Sequence, residues 1–197
     1  ARLTGRLAPD GRAFTPLAVD VSAAEARRGP LALRHLTTRS PLPDLAPDLS
    51  ALWGGQPWSL RLRDLDRVTG GVRFEAAGGV TTDHLTFVDR VAGRTLSDQL
   101  QLASTPTIAV SGRLGPNWKP ALIEGRLAAG AVTARTVPLD GASATFSFRG
   151  TALRFDDIVL RTPSSLARGS YEMDTASREF RFLLEGRLQP ADIAGWF

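Results

Sequence analysis

A series of short alternations of apolar and polar residues between positions 122 and 188 constrains the fold of this chain more than any other feature. Successive side chains of a β-strand point to opposite faces, so alternation predicts strands with one apolar face and one polar face. In residues 142–149 the apolar positions are alanine and phenylalanine, and the polar positions are serine, threonine and arginine. Gly, Pro and Asp turns separate five or six such segments, which predicts an antiparallel meander.

The alternation shifts by one position at Asp156 and Asp157. Phe155 is on the apolar face before the shift, and Ile158 resumes that face after it. An extra residue in one strand of an antiparallel pair produces this change of parity. The sequence therefore predicts a β-bulge or a sharp bend at these two aspartates.

The next predicted hairpin pairs residues 167–173 with 180–188 across a turn at 174–177. Together with the preceding segments it defines a predicted apolar face, which we take as the candidate site. Its members are Phe146, Phe148, Leu153, Phe155, Ile158, Leu160, Tyr171, Met173, Phe180, Phe182 and Leu184.

Four copies of a short pattern, apolar, any residue, Gly, Arg, apolar, place a glycine on the apolar face of a predicted strand. These glycines are Gly5, Gly112, Gly125 and Gly186. A glycine inside a strand marks a bend, or a place where another group approaches the backbone closely. We interpret the four as bend points, with a dent that accommodates an apolar ligand as the alternative.

The remaining alternations predict strands within residues 1–22 and at 31–38, 58–63, 71–76, 80–88 and 105–114. Helical turns are expected at 23–28 and near 44–53, and segment 97–103 fits either helix or strand. The fold class is therefore mostly all-β: a curved antiparallel meander forming an open groove, with one or two short helices. We expect one β-rich segment, 1–197, with a possible division into 1–104, which contains the short helix near 44–53, and 105–197.

Composition narrows the functional classes. A hydrophobic content of 43% in 197 residues supports a folded domain with a core. Cysteine is absent, and Lys119 is the only lysine; the arginines are spread singly over polar strand positions. This dispersion argues against a nucleic-acid interface, which concentrates basic charge. No apolar run approaches the length of about 18 residues that a transmembrane helix needs, and we expect the chain to be an excerpt of a longer protein.

No catalytic constellation is visible. His35 and His84 fall on separate predicted strands, no third metal ligand has suitable spacing, and Asp156 and Asp157 are better interpreted as turn carboxylates. Trp53, Trp58 and Trp118 suggest sugar platforms only weakly, because the paired acids of a glycosidase are lacking. The sequence predicts no enzyme activity, no metal and no cofactor.

Three stretches, residues 123–127, 137–146 and 153–160, resemble the repeating strands of AsmA-like proteins, which include the TamB-type and YhdP-type bacterial envelope proteins. The likeness covers about residues 105 to 197 and includes the closing segment 190–193. It implies a curved sheet forming an apolar groove, and it carries over no catalytic residues.

The resemblance also implies a location and a partner. It implies the periplasm of a Gram-negative bacterium, an inner-membrane anchor outside this chain, possible envelope protein partners, and a role in phospholipid transport to the outer membrane or in envelope biogenesis. Phospholipid, or another lipid with acyl chains, is the expected ligand. The alternative is a structural or adhesive β-sandwich with a closed core and no lipid.

Overall fold

The computed structural model describes residues 2–7, 14–29, 31–41, 46–64, 71–92, 95–116, 119–187 and 189. Within them it contains fifteen strands and two short helices, which confirms the predicted all-β class. The chain forms two compact units, Ala1–Gly78 with Ser111–Ala121, and Gly79–Val110 with Leu122–Phe197, called unit 1 and unit 2 below.

Unit 1 contains the strands β1 (Arg2–Leu7), β2 (Phe14–Arg28), β3 (Leu31–Pro41), β4 (Asp48–Trp53), β5 (Gln56–Arg63) and β6 (Val72–Gly79). Strands β8 (Thr107–Leu114) and β9 (Pro120–Ala129) include residues of both units. Unit 2 contains α1 (Thr82–Ala92), α2 (Leu96–Gln99), β7 (Leu100–Leu102), β10 (Val132–Ala134), β11 (Val137–Leu139), β12 (Gly141–Arg149), β13 (Ala152–Arg161), β14 (Leu166–Asp174) and β15 (Phe180–Arg187).

In unit 1 the strands follow the order β1-β2-β3-β4-β5-β6, and each neighbouring pair is antiparallel. One cross-strand row of this open sheet alternates in charge, and we call it the charge ladder. It consists of Arg2, Asp20, Arg39, Asp48, Arg61 and Glu75. Opposite charges on directly facing positions stabilise one register, although exposed pairs contribute less than about 1 kcal/mol each.

Two of these facing pairs are ion pairs: Arg39 Nε lies 3.8 Å from Asp20 Oδ1, and Arg61 Nη1 lies 4.0 Å from Glu75 Oε2. Asp48 Oδ1 instead accepts a 2.7 Å hydrogen bond from Arg63 Nη2, on the neighbouring strand. An open cleft of about 620 Å³ lies beside this row, lined by Arg2, Asp20, Thr37, Arg39 and Asp48 among others. Its two arginines and two aspartates balance, so it offers no excess of either charge.

The short helix predicted near 44–53 was wrong, because Asp48–Trp53 is strand β4. Gly54 and Gly55 follow it with φ of 54° and 77°. Glycines at this point are compatible with a helix end, but two consecutive positive φ values form the tight turn of a β-hairpin. The turn pairs Trp53 with Gln56 and closes the β4–β5 hairpin.

The helical turn predicted at 23–28 was also wrong. These residues are the second half of β2, which pairs with β3 from Ala18 opposite Pro41 to Arg28 opposite Leu31. Alanine has a high intrinsic helix propensity, but the long ladder to β3 outweighs that preference. Gly29, with a φ of 57°, turns the chain between the two strands.

The strand predicted at 80–88 is helix α1 instead. Thr81 precedes the helix: its carbonyl accepts hydrogen bonds from the backbone N–H groups of His84 and Leu85, at 3.0 and 3.2 Å. His84 and Leu85 are both buried. Over a few residues the segment fits both the two-residue alternation of a strand and the periodicity of a helix. Local alternation alone was therefore misleading. Segment 97–103, left open between helix and strand, contains both, since α2 is followed directly by β7.

Candidate functional site

The predicted apolar face lies on the open antiparallel sheet of unit 2, in which the strand order is β9-β12-β13-β14-β15. Residues that face each other across antiparallel strands share a face. The register forms two adjacent rows, which together we call the aromatic face. One row is Ile123, Phe148, Leu153, Met173 and Phe180; the other is Gly125, Phe146, Phe155, Tyr171 and Phe182.

The bulge predicted at Asp156 and Asp157 is confirmed. The register shifts between Phe155 and Ile158 against β14, and Asp157 has a positive φ of 50°. Thr145 Oγ1 donates a 3.2 Å hydrogen bond to the carbonyl of Asp156. Because the bulge absorbs one residue, Ile158 faces Gly169 and stays on the same face as Phe155.

Aromatic rings make a continuous series across the strands. The ring centroids are separated by 5.9 Å for Phe146 and Phe155, 6.2 Å for Phe155 and Tyr171, and 6.1 Å for Tyr171 and Phe180. Tyr171 Oη donates a 3.2 Å hydrogen bond to Met173 Sδ. The phenol group is therefore satisfied within the face, and the surface it presents is largely apolar.

This face is not sealed. None of the eleven residues of the predicted apolar face, which also includes Ile158, Leu160 and Leu184 outside the two rows, is fully buried. Nine are half-buried, while Phe180 and Phe182 retain 70% and 52% of their accessible surface. Exposed clusters of large apolar side chains are uncommon on soluble monomers and typically mark binding surfaces.

One end of the face is covered. The small sheet, in the order β11-β10-β7, contributes a buried cluster of Val132, Val137 and Leu139. This cluster packs against Ala142 and Leu160, beyond the aromatic rows. The apolar surface thus has a closed end against the small sheet and an open end at the rings.

Three glycines on the sheet are places of close approach. A Cβ atom at Gly125 would lie 2.6 Å from both Phe146 Cζ and the carbonyl oxygen of Ala109, so the Phe146 ring already fills the space above this glycine. At Gly169 and Gly186 a Cβ would collide with the backbone of the adjacent strand, near Leu183 and Leu166. The dent interpretation fails at Gly125, where a side chain of the protein occupies the dent.

Of the other two predicted bend glycines, Gly5 adjoins a register shift between β1 and β2, as expected for a bend. Gly112 lies inside β8 and is half-buried.

The turn after β14 is tied to the turn after β12. Asp174 Oδ1 accepts hydrogen bonds from the backbone N–H groups of Ala176 and Ser177, at 2.8 and 2.9 Å, and Oδ2 accepts one of 2.7 Å from Thr151 Oγ1. Thr175 donates a 2.8 Å backbone hydrogen bond to the carbonyl of Thr151. These bonds join the two hairpin turns at the end of the sheet nearest the aromatic face.

We expect this tie to make stability depend on pH. The Ser177 N–H, then the Thr151 hydroxyl and the Ala176 N–H, hold the pKa of Asp174 below its ordinary value of 3.8. A lowered folded-state pKa contributes stability that is present at neutral pH and is lost as pH falls through that lowered value. Asp174→Asn should lower the melting temperature at pH 7 and show a smaller further decrease between pH 5 and pH 2 than wild type, measured by circular dichroism. Parallel curves for the two proteins would contradict this.

The two histidines belong to different units, His35 to unit 1 and His84 to unit 2. His35 lies at a second bulge, where β3 shifts register against β4, and has a φ of 49°. His84 is buried at the start of α1, where its Nδ1 accepts a 2.9 Å hydrogen bond from the Thr81 N–H. Burial lowers the pKa of His84, and the Asp83 carboxylate partly offsets this. Across the described ranges, no group of three or more His, Asp or Glu side chains is placed to hold a metal.

The sequence-based site omitted Ile123 and Leu127. Ile123 faces Phe148, and Leu127 faces Ala144, so both extend the apolar surface onto β9. Their alternation around Gly125 is the signal that could have identified them. Trp118, residue 188 at the end of the predicted strand 180–188, and the closing segment 190–193 lie outside the described residues.

Comparison of the chain with protein-family models, curated proteins and solved structures found no match. None of the helices in the described ranges has the length and apolar character required to cross a membrane.

Proposed function

We propose that this chain binds an acyl chain of a phospholipid on the aromatic face of unit 2, and that it acts in lipid transport or envelope assembly in the way the resemblance to AsmA-like proteins implies. The observation that carries the proposal is a five-strand apolar surface on which none of the eleven predicted residues is fully buried, and which ends in two exposed phenylalanines. An apolar ligand would cover surface that the protein itself leaves in contact with water.

The dimensions of the face suit one acyl chain lying across the strands. Neighbouring strands are about 4.8 Å apart, so the four intervals from β9 to β15 span about 19 Å. A single leaflet of a bilayer has a hydrocarbon thickness of about 15 Å, half of the ~30 Å core. The two rows are about 7 Å apart along the strands, and the Tyr171 and Phe180 rings, 6.1 Å apart, join one row to the other.

The free energy available is substantial for a surface open on one side. Removing an acyl chain from water yields about 0.8 kcal/mol per CH₂, or roughly 12 kcal/mol for a chain of ~16 carbons. A sheet shields one side of the chain, so about half of this is expected from the aromatic face alone. A transfer free energy of this size suits a lipid that the protein binds and then releases to a partner.

The proposed location follows from the same resemblance. A periplasmic segment of a protein anchored in the inner membrane would meet phospholipid on one side and envelope partners on the other. The closed-core adhesive module is the competing function, and the experiment below separates the two.

The test is retention of phospholipid by the purified chain. We expect native mass spectrometry after incubation with vesicles of phosphatidylethanolamine and phosphatidylglycerol to show a bound lipid. A photoactivatable acyl chain should crosslink to β12–β15 and not to the polar positions of the same strands. A protein that stays free of lipid under these conditions, with no crosslinks to the aromatic face, would favour the adhesive module.

A further inference from the structure

Strand β15 has one hydrogen-bonded neighbour, β14, in the strand order of the described residues, and it carries the most exposed apolar side chains in unit 2. Phe180 and Phe182 lie on the aromatic face, and Leu183, which is 55% exposed, lies on the opposite face. An edge strand with apolar residues on both faces is a template for pairing with another strand.

The backbone of β15 is oriented for such pairing. The carbonyl oxygen of Leu183 lies on the β14 side, close to Gly169. In an antiparallel ladder the N–H and C=O groups of successive residues alternate in direction. The backbone groups of Phe182 and Leu184 therefore point away from β14, where a further strand would accept them.

The charges on the polar face show which residues that strand should carry. Arg154, Glu172 and Arg181 alternate across β13, β14 and β15, and Arg168 faces Glu185 in the parallel row. Continuing both rows requires an acid opposite Arg181 and a base opposite Glu185. The charge ladder of unit 1, a separate row, shows the same alternation of charge over six strands.

A second copy of β15 meets this requirement in one antiparallel register. With Leu183 opposite Leu183 of the second copy, Arg181 faces Glu185 and Glu185 faces Arg181. Glu179 then faces Arg187 on each side, and Phe182 faces Leu184. Phe180 faces Gly186, the same combination that Phe146 and Gly125 make between β12 and β9.

The two neighbouring registers that keep the faces aligned are disfavoured. A shift that places Phe182 on the twofold axis brings Glu179 opposite Glu185. A shift that places Leu184 there brings Arg181 opposite Arg187. Like charges directly opposite each other destabilise a strand pair, so the sequence of β15 is self-complementary in the Leu183 register alone among these three.

We propose that β15 is a homodimer interface in which two copies of this chain pair edge to edge, antiparallel, with Leu183 on the twofold axis. The occupant is a second copy because the strand supplies both partners of every charge pair that its edge requires. Antiparallel pairing keeps equivalent faces on the same side, so the aromatic faces of both copies would join into one surface. The interface rests on the strand edge and is independent of the proposed lipid ligand.

The absence of cysteine makes the register directly testable. Facing residues in a non-hydrogen-bonded pair have Cα atoms about 4.5 Å apart, within disulfide range. Leu183→Cys should therefore form a disulfide-linked dimer on mild oxidation without lipid. Arg181→Cys and Glu185→Cys should each form no disulfide-linked dimer alone, since four residues, about 13 Å, separate the equivalent positions. A mixture of these two variants should form a mixed dimer.

Charge reversal provides the matched control. In sedimentation equilibrium we expect the wild type to dimerise, and Arg181→Glu to weaken association at least tenfold. The double variant Arg181→Glu/Glu185→Arg should restore association, because it exchanges the partners of the pair. Circular dichroism of each variant is the control for folding.

Three outcomes would overturn the proposal. The first is a wild type that stays monomeric over the accessible concentration range. The second is a Leu183→Cys protein that is folded but does not crosslink, or that crosslinks no better than Glu172→Cys on β14. The third is a dimer that Arg181→Glu leaves intact. Lipid retention measured on the same variants is a separate result, so failure of the interface and failure of the lipid proposal are distinguishable.

Discussion

Replacing Phe182 with aspartate is expected to reduce phospholipid retention at least about tenfold and to leave the melting temperature close to that of wild type. Phe182 ends one row of the aromatic face opposite Tyr171 and is 52% exposed. A carboxylate there would have to be desolvated by the acyl chain, and the penalty exceeds the ~1.4 kcal/mol that corresponds to tenfold in affinity. Because the side chain is already exposed in the absence of ligand, folding loses little. Native mass spectrometry and a melting curve measure the two effects.

Leu183→Asp is the matched control for that substitution. Leu183 is the next residue of the same edge strand, is 55% exposed, and lies on the opposite face. Both variants place a carboxylate on this edge strand. When lipid retention is compared at a concentration at which both proteins are monomeric, the difference between them reports the aromatic face. Equal lipid retention by the two variants would rule out the face as the binding surface. A Phe182→Asp protein that melts much earlier than wild type would indicate a closed core.

Gly125→Ala is expected to destabilise the protein by about 2 to 3 kcal/mol, a large effect for the addition of one methyl group. The new Cβ would lie 2.6 Å from Phe146 Cζ and 2.6 Å from the Ala109 carbonyl oxygen. The ring can rotate away, but the carbonyl belongs to the backbone of β8 and cannot move without disturbing the strands. Urea denaturation monitored by circular dichroism gives the difference in the free energy of unfolding.

Gly141→Ala provides the comparison, because its Cβ would meet the Ala129 carbonyl oxygen at 3.5 Å, an ordinary contact. We expect this variant to lose less than about 1 kcal/mol. If the two substitutions had the same small effect, the close approach at Gly125 would not be a constraint on the sheet. The recurrence of a strand glycine in the four Gly-Arg patterns would then need another explanation.

Much of the fold was predictable where alternation ran over a whole strand. The hairpins of β12 to β15 and the bulge at Asp157 follow from the parity of phenylalanine and leucine positions. The same reasoning could have located the bulge at His35, since Leu33 and Leu36 are both half-buried although three residues apart. A bulge can thus be predicted from a change in the alternation of apolar positions when the apolar residues on both sides of it are large.

The errors have identifiable physical causes. Thr82, His84 and Thr86 alternate as in a strand, while the contacts of His84 with Thr81 that begin α1 have no clear sequence signature. Gly54 and Gly55 are compatible with a helix end and with a hairpin, and only the partner strand β5 decides between them. For residues 23–28, the partner strand β3 likewise outweighs local alanine propensity.

The candidate site was predictable as a set of side chains but not as a surface. Alternation identified which residues share a face, and the register agrees for Phe146, Phe155 and Tyr171. It could not show that the small sheet covers the Ala142 and Leu160 end, because β7, β10 and β11 are three residues each, too short for a periodic signal. Nor could alternation show that Phe180 and Phe182 are exposed, because this depends on the position of β15 at the end of the strand order.

The bulge at Asp157 also determines how this strand tolerates changes in its length. Phe155 and Ile158 share a face although three positions separate them, so deleting Asp157 would bring them to the two-residue spacing of a regular strand. The deletion would remove the irregularity and keep every apolar side chain on its original face, whereas deleting both aspartates would turn Ile158 and Leu160 toward the polar side. We therefore expect homologous chains to tolerate a one-residue deletion at this bulge better than a two-residue deletion.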